Sequence, residues 1–225
     1  MMMGVKSSID NLVADKIRPI AKGISEKLQL DGYRIAIVGG FVRDHMLSHL
    51  FNKDIIPADI DLLLDDAISG KQLRKIPGVR MIEEGSYCDH KFYLDGFGMC
   101  DIWSSYTPDV ESVLRSFDFN CNAVGYSYSE NKIIMLPDFF GFLESQTLSI
   151  INATWEEIPR RGLKLQAKLS EQLGTRILLD NEAIRVIKNI SERERAELLE
   201  YMNHKANSDR IFQTALAEYN KIINQ

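Results

Sequence analysis

Asp59-Ile60-Asp61 places two carboxylates two residues apart at the start of an apolar run, Leu62-Leu63-Leu64. Along a β-strand alternate side chains project from one face, so both acids meet whatever lies there. Two carboxylates so placed can hold a pair of divalent cations, the arrangement that activates a hydroxyl and bridges leaving phosphates in in-line phosphoryl transfer. An Asp-x-Asp triplet alone more commonly marks a solvated turn or a helix N-cap, so its surroundings decide. About twenty residues upstream, Gly39-Gly40 separates a short apolar strand, 34–38, from a helix, 42–51, whose Met46, Leu47 and Leu50 face inward. Glycines there let the backbone approach a ligand closely, and the first N–H groups of the helix suit a phosphate. Neither Walker nor Rossmann spacing is present.

The elements that must position these residues are legible from periodicity. Residues 8–29 form an amphipathic helix with Ile9, Leu12, Val13, Ile17, Ile20 and Ile24 at three- and four-residue steps, closed by Asp31-Gly32. After the strand–glycine–helix unit come a strand at 60–64 and a hairpin of 91–94 with 99–103 around Asp95-Gly96-Phe97-Gly98. Two more strands, 122–128 and 132–136, are joined by Ser129-Glu130-Asn131. The segment 65–90 reads as a loop with one helix. From Thr154 onward the period becomes 3.6, with helices near 156–172, 181–189, 191–203 and 208–223. The fold class is therefore α+β: a mixed sheet of about five strands flanked by helices over 1–150, followed by a small all-helical domain over 151–225.

Composition narrows the partners. The net charge is −5, which argues against one broad electropositive surface for nucleic acid. The first 150 residues hold 15 Lys/Arg against 21 Asp/Glu and the rest 12 against 11, so a polyanion is expected on the second part. Cys88, Cys100 and Cys121 are odd in number and lack a C-x-x-C pair, the pattern of buried thiols in a reducing, cytoplasmic compartment. No apolar run is long enough to span a bilayer, so no membrane partner is expected.

Gly39-Gly40-Phe41-Val42-Arg43-Asp44 followed by Ala58-Asp59-Ile60-Asp61-Leu62 resembles the G-G-x-V-R-D and D-x-D signatures of class II CCA-adding enzymes and bacterial poly(A) polymerases, members of the DNA polymerase beta-like nucleotidyltransferase superfamily. Asp118-Phe119-Asn120-Cys121-Asn122-Ala123 resembles the family's R-R-D-F-T-I-N-A, and Asp138-Phe139-Phe140-Gly141 its D-P-F-G-G. The resemblance covers roughly residues 34–170. It implies a nucleotidyltransferase head with a helical neck-like domain. It further implies that Gly39, Gly40 and Arg43 hold the triphosphate with Asp44 among the nucleotide-binding positions. Asp59 and Asp61 would bind magnesium, two ions in all, and Asp118 and Asn122 would contact ribose or base. Asp101 falls where the superfamily carries a third carboxylate, to support a metal or take the hydroxyl proton. A solvent-facing hairpin aspartate is its other reading.

The departures are informative. Ser116-Phe117 stands where the family motif opens with two arginines, and Arg115 comes one step early. The family's E-D-x-x-R is echoed by Glu156-Glu157-Ile158-Pro159-Arg160, whereas Arg161-Gly162-Leu163-Lys164-Leu165-Gln166-Ala167-Lys168-Leu169 fits R-A-x-R-F-A-A-K-L better. The two alignments are two or three residues apart, so Arg160, Arg161 and Lys164 all stand as nucleotide-binding candidates and the choice between ATP and CTP stays open. Arg160, Lys164 and Lys168 recur every four residues and define one helix face, either turned to a nucleotide or solvated. Tyr87, Phe92, Tyr93 and Phe97 are base-stacking candidates, although core packing is the commoner reading for each. His45, His49, His90 and His204 lack ligand spacing, although His90 lies near the hairpin.

The favoured reading is NMP transfer from an NTP to an RNA 3′ end, with a tRNA-type acceptor. Family members that repair tRNA continue through body and tail domains, so a smaller appendage, a partner or another acceptor is expected here. Transfer to a protein or small molecule, and a catalytically silent nucleotide- or RNA-binding module, are the alternatives.

Overall fold

The computed structural model describes residues 2–84, 88–104, 109–153 and 157–224. The chain divides into two units, Met1–Arg115 with Asn122–Leu136, and Ser116–Cys121 with Pro137–Gln225.

In the first unit α1 (Met2–Lys27) leads into β1 (Ile35–Val38), α2 (Gly40–Phe51) and β2 (Asp59–Leu64). A four-residue α3 (Gly70–Leu73), opened by a reciprocal Ser69–Gln72 capping box, precedes β3 (Val79–Glu84), β4 (His90–Leu94) and β5 (Gly98–Ser104). Helix α4 (Val110–Arg115), a 3₁₀ turn at Asn120–Asn122, β6 (Val124–Ser127) and β7 (Lys132–Met135) follow. The strands make one mixed sheet in the order β3-β4-β5-β2-β1-β6-β7, with β2 and β5 parallel and every other pair antiparallel. All four residues of β1 are buried, as expected for a continuous apolar strand inside a sheet covered by helices.

The α+β expectation holds, with seven strands in place of about five. Within this sheet the unforeseen strand is β3, in the segment read as a loop. It sits at the sheet edge, alternates poorly (Val-Arg-Met-Ile-Glu-Glu) and is broken by a register shift between Met81 and Glu83. Edge strands are often charged and bulged, which blurs their period-two signature. In α1, Val13, Ile17 and Ile24 are buried as expected, while Leu12 is 48% exposed; Leu50, in the last turn of α2, also lies outward.

The second unit holds α5 (Pro137–Ser145), α6 (Ile158–Leu173), α7 (Asn181–Lys188), α8 (Glu192–Ala206) and α9 (Arg210–Ile223). Among its described residues the strands β8 (Thr147–Leu148) and β9 (Leu178–Leu179) form a parallel pair. The helix limits follow their caps. Asp180 accepts from Ala183 N, Ser191 and Glu194 form a capping box, Asp209 accepts from Ile211 N, and Gly174 ends α6 at φ 67°. Helix α5 lies ahead of residue 150, where the change of period begins. No helix among the described residues is long and apolar enough to cross a membrane.

Candidate active site

Strand register brings the acids and the glycine turn together in the first unit. Asp61 is directly opposite Val38 on β1 and Asp101 on β5, and Asp59 is opposite Met99. Gly39 follows Val38, so the turn lies beside Asp61. Asp59 is exposed, Asp61 half-buried and Asp101 only 5% exposed. The hairpin aspartate is thus an interior residue. Gly39 has φ 67° and ψ −128°, a conformation that strains any side chain, and its N–H donates to Val124 O at 2.8 Å. Gly39→Ala is expected to destabilise the first unit by ~1–3 kcal/mol, read as a lowered unfolding midpoint. An unchanged midpoint would show that the turn relaxes without cost. Beyond Gly39, α2 begins with no side-chain cap, so its first N–H groups, which lack intrahelical partners, are not satisfied by a capping side chain.

Lys91 was not among the sequence candidates. It stands directly opposite Asp101 across β4 and β5, and its Nζ donates to Asp101 Oδ2 at 2.8 Å. Burial alone would lower the Lys91 pKa, but the hydrogen bond to Asp101 and the charges of Asp101 and Asp59 outweigh it and the pKa is raised. The other oxygen, Asp101 Oδ1, is buried and has no hydrogen-bond partner. The field of the acids reaches two thiols. Burial, followed by Asp101, Asp61 and Asp59, pushes Cys100 up to about 12, and burial with Asp101 pushes Cys88 up to about 11. Both stay protonated, and among the described residues none of the three cysteines forms a disulfide.

The donor set fits magnesium. The hard carboxylate oxygens of Asp59 and Asp61, two residues apart on β2, are what such an ion takes up. Among the described residues, however, no group of three His, Cys, Asp or Glu side chains is arranged to hold a metal. Magnesium is usually held by one or two carboxylates plus substrate phosphates, and Asp59 with Asp61 matches that number.

Arg43 and Asp44 sit otherwise than the motif implies by itself. Both are buried, at 2% and 1% exposure, and Arg43 Nε and Nη2 each lie 2.7 Å from Asp44 Oδ1. Arg43 Nη1 donates to Asn122 Oδ1 at 2.6 Å. The guanidinium thus ties α2 to the segment before β6. It is not displayed as a surface cation.

In the second unit Asp118 is buried, accepts from Phe119 N at 2.9 Å and pairs through Oδ2 with Arg161 Nε. Arg160 pairs with Glu157 and lies 4.5 Å from the Tyr201 ring centroid, and Lys164 lies 5.8 Å from that of Phe212. Tyr201 and Phe212 meet edge-on at 5.6 Å. Arg160 and Lys164 on α6 therefore rest on aromatics of α8 and α9, as cation–π contacts do. Arg115 forms an exposed pair with Glu111.

The three stacking candidates within the described residues make packing contacts. Phe92 is fully buried, Tyr93 is covered by Arg80 at 4.3 Å, and Phe97 lies so close over Gly23 that a Cβ there would be 2.8 Å from its ring. Tyr87 and Glu156 lie outside the described residues. His90 Nε2 donates to Ile68 O at 2.6 Å.

Compared with known proteins, the chain is similar in fold to solved CCA-adding enzymes. It superimposes on a CCA-adding enzyme in complex with ATP with a TM-score of 0.63 and 17% identity, covering 92% of this chain and 52% of that one. An apo form gives 0.64 and 18%, covering 92% and 51%. The Thermotoga maritima CCA-adding enzyme complexed with tRNA gives 0.58 and 15%, covering 92% and 50%. At these identities the likeness is one of fold, and the chain spans about half the length of these structures. No protein-family model matches the chain, and no curated protein matches it in sequence.

Proposed function

We propose that the chain transfers a nucleoside monophosphate from ATP or CTP to the 3′ hydroxyl of an RNA, with a tRNA-type acceptor, in the cytoplasm. The observation that carries this reading is the register that sets Asp59, Asp61 and Asp101 on neighbouring strands beside the Gly39 turn. Structures of the same fold solved with ATP, with CTP and with tRNA support the choice of substrates.

Asp59 and Asp61 would hold magnesium, which lowers the pKa of an attacking hydroxyl and neutralises phosphate charge when bound. The open N–H groups at the start of α2 receive the triphosphate, and the Gly39–Gly40 backbone lets it approach. Arg43 and Asp44 keep that turn and Asn122 in place. In the second unit, the Asp118–Arg161 pair is the proposed ribose or base contact, with Arg160 and Lys164 on the same helix. Pyrophosphate leaves.

The test incubates the purified chain with Mg²⁺, each labelled NTP in turn and a tRNA lacking its 3′ end, resolved on a gel. Lengthened RNA with ATP or CTP is the expected result. Label on the protein or on a small molecule, or no incorporation, would overturn the RNA reading.

A further inference from the structure

We infer that Lys91 is a built-in cation that takes the place of one divalent ion at the carboxylate cluster, so that the chain without nucleotide binds a single ion, on Asp59 and Asp61. This rests on the nucleotidyl-transfer reading and deepens it.

Three acids converge through the strand register, and Asp101 is the one most withdrawn from water. A carboxylate so buried needs a compensating charge. Lys91 supplies it from the adjacent strand, at 2.8 Å and in direct cross-strand opposition, with a side chain only 32% exposed. An ammonium bonded to one oxygen of Asp101 repels a divalent ion approaching the other. Asp101 is therefore withheld from metal ligation while Lys91 is present. A second ion, where the chemistry needs one, would then arrive with the triphosphate, whose oxygens complete a magnesium shell.

The experiment counts Mn²⁺ bound to the full chain without nucleotide, from the loss of the free-ion paramagnetic resonance signal. The wild-type chain is expected to bind one ion. Lys91→Met should bind two, or bind the first about tenfold more tightly, because Asp101 is released; Lys91→Arg, which keeps a cation there, should remain at one with wild-type affinity. A thermal melt establishes that each variant is folded, and Lys91→Gln, which retains a hydrogen bond without the charge, replaces the Met variant if that one unfolds. Two ions on the wild-type chain, or one ion at unchanged affinity in the uncharged variant, would overturn the role of Lys91 and leave the nucleotidyl-transfer reading standing. Absence of Mn²⁺ binding by the wild-type chain would overturn both.

Discussion

Asp59→Ala or Asp61→Ala is expected to lower RNA extension by about a thousandfold or more, roughly 4 kcal/mol of transition-state stabilisation, with little loss of fold. The two halves of this expectation come from different physics. The loss of activity follows because the two acids share a strand face, where both meet the same ion. The preserved stability follows because Asp59 is exposed, Asp61 is half-buried, and removing one of several neighbouring negative charges relieves repulsion. Initial rates and unfolding midpoints of the two variants check it. Full activity in either one would remove that carboxylate from the reaction. A large drop in midpoint would make it a structural residue instead.

Arg43→Ala should do the reverse. Its guanidinium is buried against Asp44 and Asn122, and truncating one member of a buried charge pair costs ~3–5 kcal/mol because the remaining charge loses its partner. For a chain of this size that is roughly a 10 °C fall in unfolding midpoint. Arg43→Lys should fall between, since one ammonium cannot reproduce the planar fork that spans Asp44 and Asn122. The paired change Arg43→Met with Asp44→Leu should cost less than Arg43→Ala, because no charge is stranded. Where the alanine variant stays folded, its nucleotide KM separates the roles: a rise places Arg43 at the triphosphate, while an unchanged KM leaves it a positioning residue. An unchanged midpoint would refute the buried network.

What the sequence made legible and what it hid have separable causes. The strand–glycine–helix unit, the Asp-x-Asp strand and the four late helices are local patterns, written in apolar period, glycine position and caps such as Ser191 and Asp180, and they appear where expected. Lys91 was hidden because its meaning is relational. Only the register of β4 against β5 sets it on Asp101, and a lysine on a hairpin otherwise reads as surface. The burial of Arg43 was hidden for a similar reason, since Asn122 lies 79 residues away along the chain. Arg160 and Lys164 showed a cationic spacing, but Tyr201 and Phe212, which complete it, come from later helices. Strand β3 was missed because its bulge and charges erase the alternation a strand is recognised by.

The chain leaves the first unit at Ser116, returns at Asn122, and leaves again at Pro137. The excursion is a structural insert of the second unit. Phe119 lies over Gly162 so closely that a Cβ there would be 2.8 Å from its ring, Asp118 engages Arg161 and the Ile151 amide, and Asn120 bonds to Thr147 and Ser149. A fragment beginning at residue 137 would lack these anchors, and one ending at 136 would carry them without their sockets. Recombination at a single junction therefore cannot exchange this helical part as a cassette between related genes. Any viable chimaera has to inherit the Ser116–Cys121 thread and the helices it pins from the same parent.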